Sequence, residues 1–278
     1  MEIFPRSLGL IFVLGLATGL LAAAPAAQGK SKLGSTVFSW DSFKVKSTGV
    51  GERRDVADNP TATLEVFESH ISTLNPGQAS HAPHMHPQEE VIILKDGILE
   101  GFVDGEWRRV GPGSIFFFAS YNPHAVRNPG DKPATYLVFN FTTAATHSQR
   151  KDSPAVAGSG RLGSTAFPWE ELPVKPTRTG ERREVTNLPT ATLANFECHV
   201  TTLRAGEVAH APHRHPDEEI ILVKEGLLEV TINGHARRAG SGSVFFYASG
   251  DQHGMRNVGD GDATYYVIRV VTEATPKA

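Results

Sequence analysis

An internal repeat without a gap constrains this chain more than any other feature. Ser35-Thr36-Val37-Phe38-Ser39-Trp40 returns as Ser164-Thr165-Ala166-Phe167-Pro168-Trp169, at an offset of 129 residues. The same offset carries Gly51-Glu52-Arg53-Arg54 onto Gly180-Glu181-Arg182-Arg183, and Pro60-Thr61-Ala62-Thr63-Leu64 onto Pro189-Thr190-Ala191-Thr192-Leu193. The chain therefore builds one small unit twice. Its 278 residues suit two domains of roughly 100–150 residues each. The expected limits are 31–143 and 160–278, with a polar, Pro- and Gly-containing linker at 144–159.

Residues 1–26 stand apart. Leu8–Ala24 is apolar or small and uncharged, and Ala24-Pro25-Ala26 offers a small-x-small cleavage pattern. This reads as a secretory signal, with an exported protein, periplasmic or secreted, as its consequence. The alternative is a retained anchor, for which the apolar run is short. The net charge is -3, without a basic run, so neither nucleic acid nor an anionic membrane surface is an expected partner. The single cysteine, Cys198, can form no internal disulfide; its repeat counterpart is Ser69, and it reads as a packing residue.

Within each copy the pattern is that of strands. Thr63–Leu74 is β-prone and ends at Asn75-Pro76-Gly77. Val91–Leu94 precedes the turn signal Lys95-Asp96-Gly97, and Asp104-Gly105 separates Ile98–Val103 from Trp107–Val110. Ser114–Phe118 and Thr135–Phe141 complete the set. Short strands with glycine turns predict an all-β sandwich or jelly-roll barrel, twice.

The chemistry lies in His84-Met85-His86-Pro87-Gln88-Glu89-Glu90 and its counterpart His213-Arg214-His215-Pro216-Asp217-Glu218-Glu219. On a strand, residues i and i+2 share a face, so each His pair forms a two-point chelate. Glu90 and Glu219 follow a proline turn, and His124 and His253 offer a third imidazole to each half. Imidazole with carboxylate suits iron, manganese, nickel, copper or zinc rather than calcium. Three His and one Glu leave coordination positions open, as a catalytic metal requires. The competing readings are a metal that only braces the barrel, or histidines satisfied in the core. Glu68-x-His70 and Glu197-x-His199 recur in an early strand, either as buried pairs or as a pocket acid/base; His81 and His210 recur three residues before the first ligand. Glu89 and Glu218 point away by alternation, and the Phe116–Phe118 and Phe245–Tyr247 runs read as packing.

These residues resemble the cupin superfamily. Its first motif is His-x-His, three or four residues, Glu, six residues, Gly; Glu90 to Gly97 and Glu219 to Gly226 keep that spacing. Its second is matched by Gly105–Gly113 with His124 and Asn128, and by Gly234–Gly242 with His253 and Asn257. Gly111 and Gly240 replace the proline of the Pro-x-Gly element, and the interval to the histidine is longer. The resemblance implies two tandem jelly-roll barrels, with metal ligands His84, His86, Glu90 and His124 in one and His213, His215, Glu219 and His253 in the other.

The resemblance also implies function. Quercetin dioxygenases share the three-His, one-Glu set, so the leading expectation is a metal-dependent, dioxygenase-like oxidoreductase using manganese or iron on a small organic molecule. Zinc, nickel and copper fit the same donors. Non-oxidative bicupins, such as oxalate decarboxylases, give a second reading, although no acidic serine-rich lid segment is present. A non-enzymatic module binding a small molecule or metal gives a third. No catalytic residue is assigned, and jelly-roll edges make a homo-oligomer an open expectation. The copies differ near the ligands: Met85 matches Arg214, Gln88 Asp217, Tyr121 Gly250, and Val126 Met255.

Overall fold

Period-two alternation explains how each barrel is built. In the strand Glu89–Asp96, Glu90, Ile92 and Leu94 face the interior of the first barrel, where the two apolar residues join Leu99, Phe116 and Val138. Glu89, Val91 and Ile93 face the other way, towards a core shared by both halves. The second copy repeats this with Glu219, Ile221 and Val223 inward and Glu218, Ile220 and Leu222 towards the shared core. The computed structural model describes residues 29–154 and 160–277. The expected signal segment, 1–26, lies outside them, as does part of the expected linker, 155–159. Among the described residues the only helices are three short 3-10 turns, Trp40–Ser42, Ala144–Ser148 and Trp169–Glu171.

Each half contains a seven-stranded antiparallel sheet and a smaller sheet that closes its barrel. In the first large sheet Ala134–Thr142 lies between Val66–Leu74 and Glu89–Asp96; in the second Ala263–Val271 lies between Asn195–Leu203 and Glu218–Glu225. The shared core stacks Phe67 on Phe139, Phe141 and Phe246, with the last from the other copy at 5.5 Å. Burying such a ring stabilises by about 1.5–3 kcal/mol. Cys198 is fully buried here, and burial pushes its thiol pKa far up, so it packs and does not react.

The sheets do not respect the repeat limits. Thr36–Phe38 pairs with Val244–Tyr247 of the second copy, and Thr165–Phe167 pairs with Ile115–Phe118 of the first. The repeated tryptophan anchors each exchange. The Trp169 backbone N–H donates to Ser114 Oγ at 2.9 Å, and its indole covers Gly113 so closely that a Cβ there would lie 2.7 Å from the ring. Trp40 does the same on Ser243 and Gly242.

The repeated Pro-Thr-Ala-Thr-Leu segments form a second reciprocal link. Thr192 Oγ1 and the Ala191 N–H donate to the fully buried Glu89 carboxylate at 2.7 and 2.9 Å, and Thr190 Oγ1 adds a third bond. Thr61 Oγ1, Thr63 Oγ1 and the Ala62 N–H hold Glu218 at 2.7, 2.9 and 3.0 Å. Each carboxylate is the chain neighbour of Glu90 or Glu219, so each half clasps the other one residue from a candidate ligand.

One local expectation is corrected. His84-Met85-His86 is not a regular strand, and in the second copy the strand Val208–His213 ends at the first histidine. Pro83 and Pro87 remove backbone donors on both sides. Instead His84 exchanges both backbone hydrogen bonds with His124, at 2.9 and 3.0 Å, which ties two histidines together from opposite ends of the motif.

Candidate metal centres

Three elements converge at each barrel mouth. The extended His-x-His segment supplies two imidazoles, the following strand supplies the glutamate, and the segment before Asn128 or Asn257 supplies the third imidazole. These asparagines are structural: Asn128 donates to Leu74 O and Lys132 O and accepts from Gly130 N–H, and Asn257 repeats this. They lock the turn that follows the third histidine.

The ligand atoms of His84, His86 and His124 lie within 4.8 Å of one another, as do those of His213, His215 and His253. Backbone carbonyls fix the tautomers. His86 Nδ1 donates to Gln88 O at 3.0 Å and His124 Nδ1 to Asn122 O at 2.8 Å. In the second half His215 Nδ1 donates to Asp217 O at 2.9 Å and His253 Nδ1 to Asp251 O at 3.0 Å. A carbonyl can only accept, so each Nδ1 carries a proton; Nε2 of His86, His124 and His253 then presents a lone pair, whereas His215 Nε2 pairs with Glu219 Oε2 at 3.2 Å. His86 Nε2 and His124 Nε2 then face one another at 3.1 Å, the spacing of about 3 Å expected of two nitrogens on one ion. His253 Nε2 is buried without a partner. Opposed lone pairs and an orphaned buried nitrogen fit a cation, so the donor set accommodates a divalent metal.

The glutamates are placed differently. Glu90 lies 3.9 Å from both His86 Nε2 and His124 Nε2. Glu219 lies 3.2 Å from His215 Nε2. Burial, with the nearby Glu68 charge, pushes the Glu90 pKa up to about 8 against a weaker opposing bond from Asn140. Burial opposes ionisation of Glu219 too, but the His215 hydrogen bond and the charges of His253, His215 and Arg269 together hold it below its ordinary range. The imidazoles diverge likewise. Burial brings His86 down to about 4 and His124 to about 3. Burial also opposes charge on His215, but bonds with Asp217 and Glu219 outweigh it and raise its pKa to about 9.

Several residues at the centres escape a reading by motif. Phe118 stacks on His124 at 4.7 Å and Tyr247 on His253 at 4.2 Å, so the aromatic runs brace a ligand as well as the core. Asn140 and Arg269 occupy equivalent positions on the central strands, each in register with both Glu68/Glu90 or Glu197/Glu219. Asn140 Nδ2 donates to Glu68 Oε2 at 2.8 Å, whereas Arg269 turns to Asp217 with bonds of 2.6 and 3.0 Å. The signal was available in the repeat alignment: Gln88 to Asp217 and Asn140 to Arg269 are a paired exchange.

Each centre opens into a cavity, of about 410 Å³ in the first half and 480 Å³ in the second. His70 and His199 line these cavities, and each Nδ1 donates to its own strand's glutamate, Glu68 at 2.8 Å and Glu197 at 2.6 Å. Arg53 and Arg182 line them too, bonded to Glu68 at 3.0 Å and Glu197 at 3.2 Å. His81 and His210 sit at the rims, their rings 3.9 Å from His84 and 4.2 Å from His213.

The Cupin domain family model matches residues 70–140 and 199–269, together more than half of the chain. AerE from Microcystis aeruginosa is similar in structure, at 15% identity and a TM-score of 0.63, with 82% of this chain and 97% of that chain covered. A variant of the Bacillus subtilis oxalate decarboxylase aligns at 18% identity and a TM-score of 0.62, covering 90% of this chain and 80% of that one. A study of the Mn(II) centres of the same decarboxylase gives 18% identity, a TM-score of 0.63 and coverages of 91% and 81%. No curated protein matches the chain by sequence. At these identities the structural likenesses establish the fold, and with the family match they show that this chain belongs to the cupin family, as a two-domain cupin with a potential metal-binding histidine triad in each half.

Proposed function

We propose that the chain is a metal-dependent cupin enzyme, with His84, His86, Glu90 and His124 holding one divalent transition metal and His213, His215, Glu219 and His253 another. The observation that carries the reading is the convergence of unpaired Nε2 lone pairs at the floor of a cavity, with Nδ1 atoms fixed by carbonyls. A bound manganese or iron would supply Lewis acidity and one-electron chemistry, and the decarboxylase similar in fold has Mn(II) centres. The preferred reaction is a dioxygenase-like oxidation of a small organic molecule.

The chain's own residues would position and protonate that molecule. Arg53 and Arg182 present guanidinium groups to the cavities, held by Glu68 and Glu197. His70 and His199 give their Nδ1 protons to the same glutamates, which leaves Nε2 as the atom able to take or return a proton. Phe118 and Tyr247 keep water off one face of a ligand histidine.

The two arginines of the second cavity, Arg182 and Arg269, also favour a second reading, a non-oxidative decarboxylase, because guanidinium recognises carboxylate. The test is Mn(II)- or Fe(II)-loaded protein with a panel of phenols, flavonoids and carboxylic acids, followed by oxygen uptake and CO2 release together. Metal-dependent oxygen uptake supports the dioxygenase-like reading. CO2 release without oxygen uptake supports the decarboxylase, and neither signal, with ligand bound, points to a binding module. Export directed by residues 1–26 is part of the proposal; an N-terminus near Ala27 on protein recovered outside the cytoplasm would support it, and an intact Met1 would oppose it.

A further inference from the structure

The repeat supplies its own control for reading the cavities. In the first, position 140 is an asparagine whose amide is committed to Glu68. In the second, the equivalent Arg269 is gripped through Nε and Nη2 by Asp217, which is 5% exposed. That grip fixes the guanidinium in place and leaves Nη1 for a ligand. The charged lining of the second cavity is Arg182, Arg269 and Glu219, whereas that of the first is Arg53, Glu52 and Glu90. Because Arg269 has turned to Asp217, Glu197 Oε2 is left buried without a partner, where Asn140 satisfies Glu68 Oε2. The second half thus forgoes a buried hydrogen bond to hold a cation in the cavity wall.

We propose that Arg269, oriented by Asp217, makes the second cavity a carboxylate-binding site that the first cavity is not. A guanidinium already held in one position loses little freedom on binding, and its free edge offers a charge-assisted hydrogen bond to an anionic oxygen. The amide of Asn140 is neutral, and its donor, Nδ2, is already engaged by Glu68. The two cavities therefore take molecules of different charge: a small carboxylic acid in the second, and in the first a neutral molecule. The inference deepens the enzyme reading by naming the substrate class of one cavity, but the cation acts whether or not a metal is loaded.

The test is calorimetric titration of full-length protein with malonate, in metal-free and Mn(II)-loaded forms, with metal content measured separately. Wild type takes one malonate per chain in the tighter class. D217Q/R269N, the pair with which the first half already folds, loses that class, its affinity falling about tenfold or more. Q88D/N140R, the reverse transplant, gains a second. Unchanged malonate binding by D217Q/R269N, or equal binding by both cavities of wild type, would overturn the proposal. Failure to load Mn(II) would count against the enzyme reading alone, because the malonate stoichiometry is still read in the metal-free protein.

Discussion

The two candidate metal centres share a histidine triad and differ in which side chain holds a proton. In the first, the proton belongs to Glu90, raised to about 8 by burial and the neighbouring Glu68, while His86 and His124 are driven down to about 4 and 3 by burial. In the second, it belongs to His215, raised to about 9 against burial by Asp217 and Glu219. The exchange of Gln88 for Asp217 brings a carboxylate to His215, and against burial Glu219 is held down first by its hydrogen bond with His215, with Arg269 a smaller influence. Identical ligands can thus be tuned from the next layer of residues.

The largest expected effect probes what the halves have in common. Glu89→Ala leaves the Thr190 and Thr192 hydroxyls and the Ala191 N–H without their acceptor, which should cost about 2–4 kcal/mol. Glu218→Ala should cost the same within about 1 kcal/mol. Denaturant unfolding of both variants checks this, and a large inequality would break the equivalence of the two clasps.

The next effect sharpens the difference. Asp217→Gln removes the carboxylate 3.2 Å from His215 Nδ1, and should weaken metal binding at the second centre by about 10–100-fold while sparing the first. Competition with a chelator, followed centre by centre, measures it.

The pH dependence follows from the same groups. The raised pKa of Glu90 means that its stabilising contribution is complete below the ordinary value of 4.5 and is lost as pH rises through about 8. That of His215 is complete below 6.5 and lost as pH rises through about 9. Metal-free protein should therefore lose thermal stability between pH 6 and pH 9, the two values lying between these pKa limits. Glu90→Gln should remove the lower part of the fall. Metal binding should release about one proton per centre at neutral pH, read by calorimetry in buffers of different ionisation heat.

The smallest effect concerns Tyr121, whose φ of 56° lies in the left-handed region where the second copy has Gly250 at 79°. Tyr121→Gly relieves that strain but loosens the unfolded chain, for a net change within about 1 kcal/mol. Metal binding should not change, since Tyr121 reaches the centre only through its backbone N–H to His86 O.

The fold and the two histidine triads were legible because both are written locally. A period of two fixes which face a side chain takes, and a gapless repeat shows each ligand twice. The clasp was visible only as a repeated Pro-Thr-Ala-Thr-Leu, since its acceptor lies 101 residues from Thr190. The exchanged strands were hidden for the same reason: either copy offers Thr36–Phe38 an edge of identical pattern. Gln88 against Asp217 stood out beside the motif, whereas its partner exchange at 140 and 269 lies far along the chain and gains meaning only when the sheet sets it beside the glutamate.

The central claim is that each half holds its own metal through its own histidines. Titration of metal-free full-length protein with Mn(II) tests it directly, beside H84A/H86A and H213A/H215A. The account predicts two ions per chain for wild type and one for each variant, with the remaining centre keeping its own proton release. Two ions in both variants, or none in wild type, would contradict it.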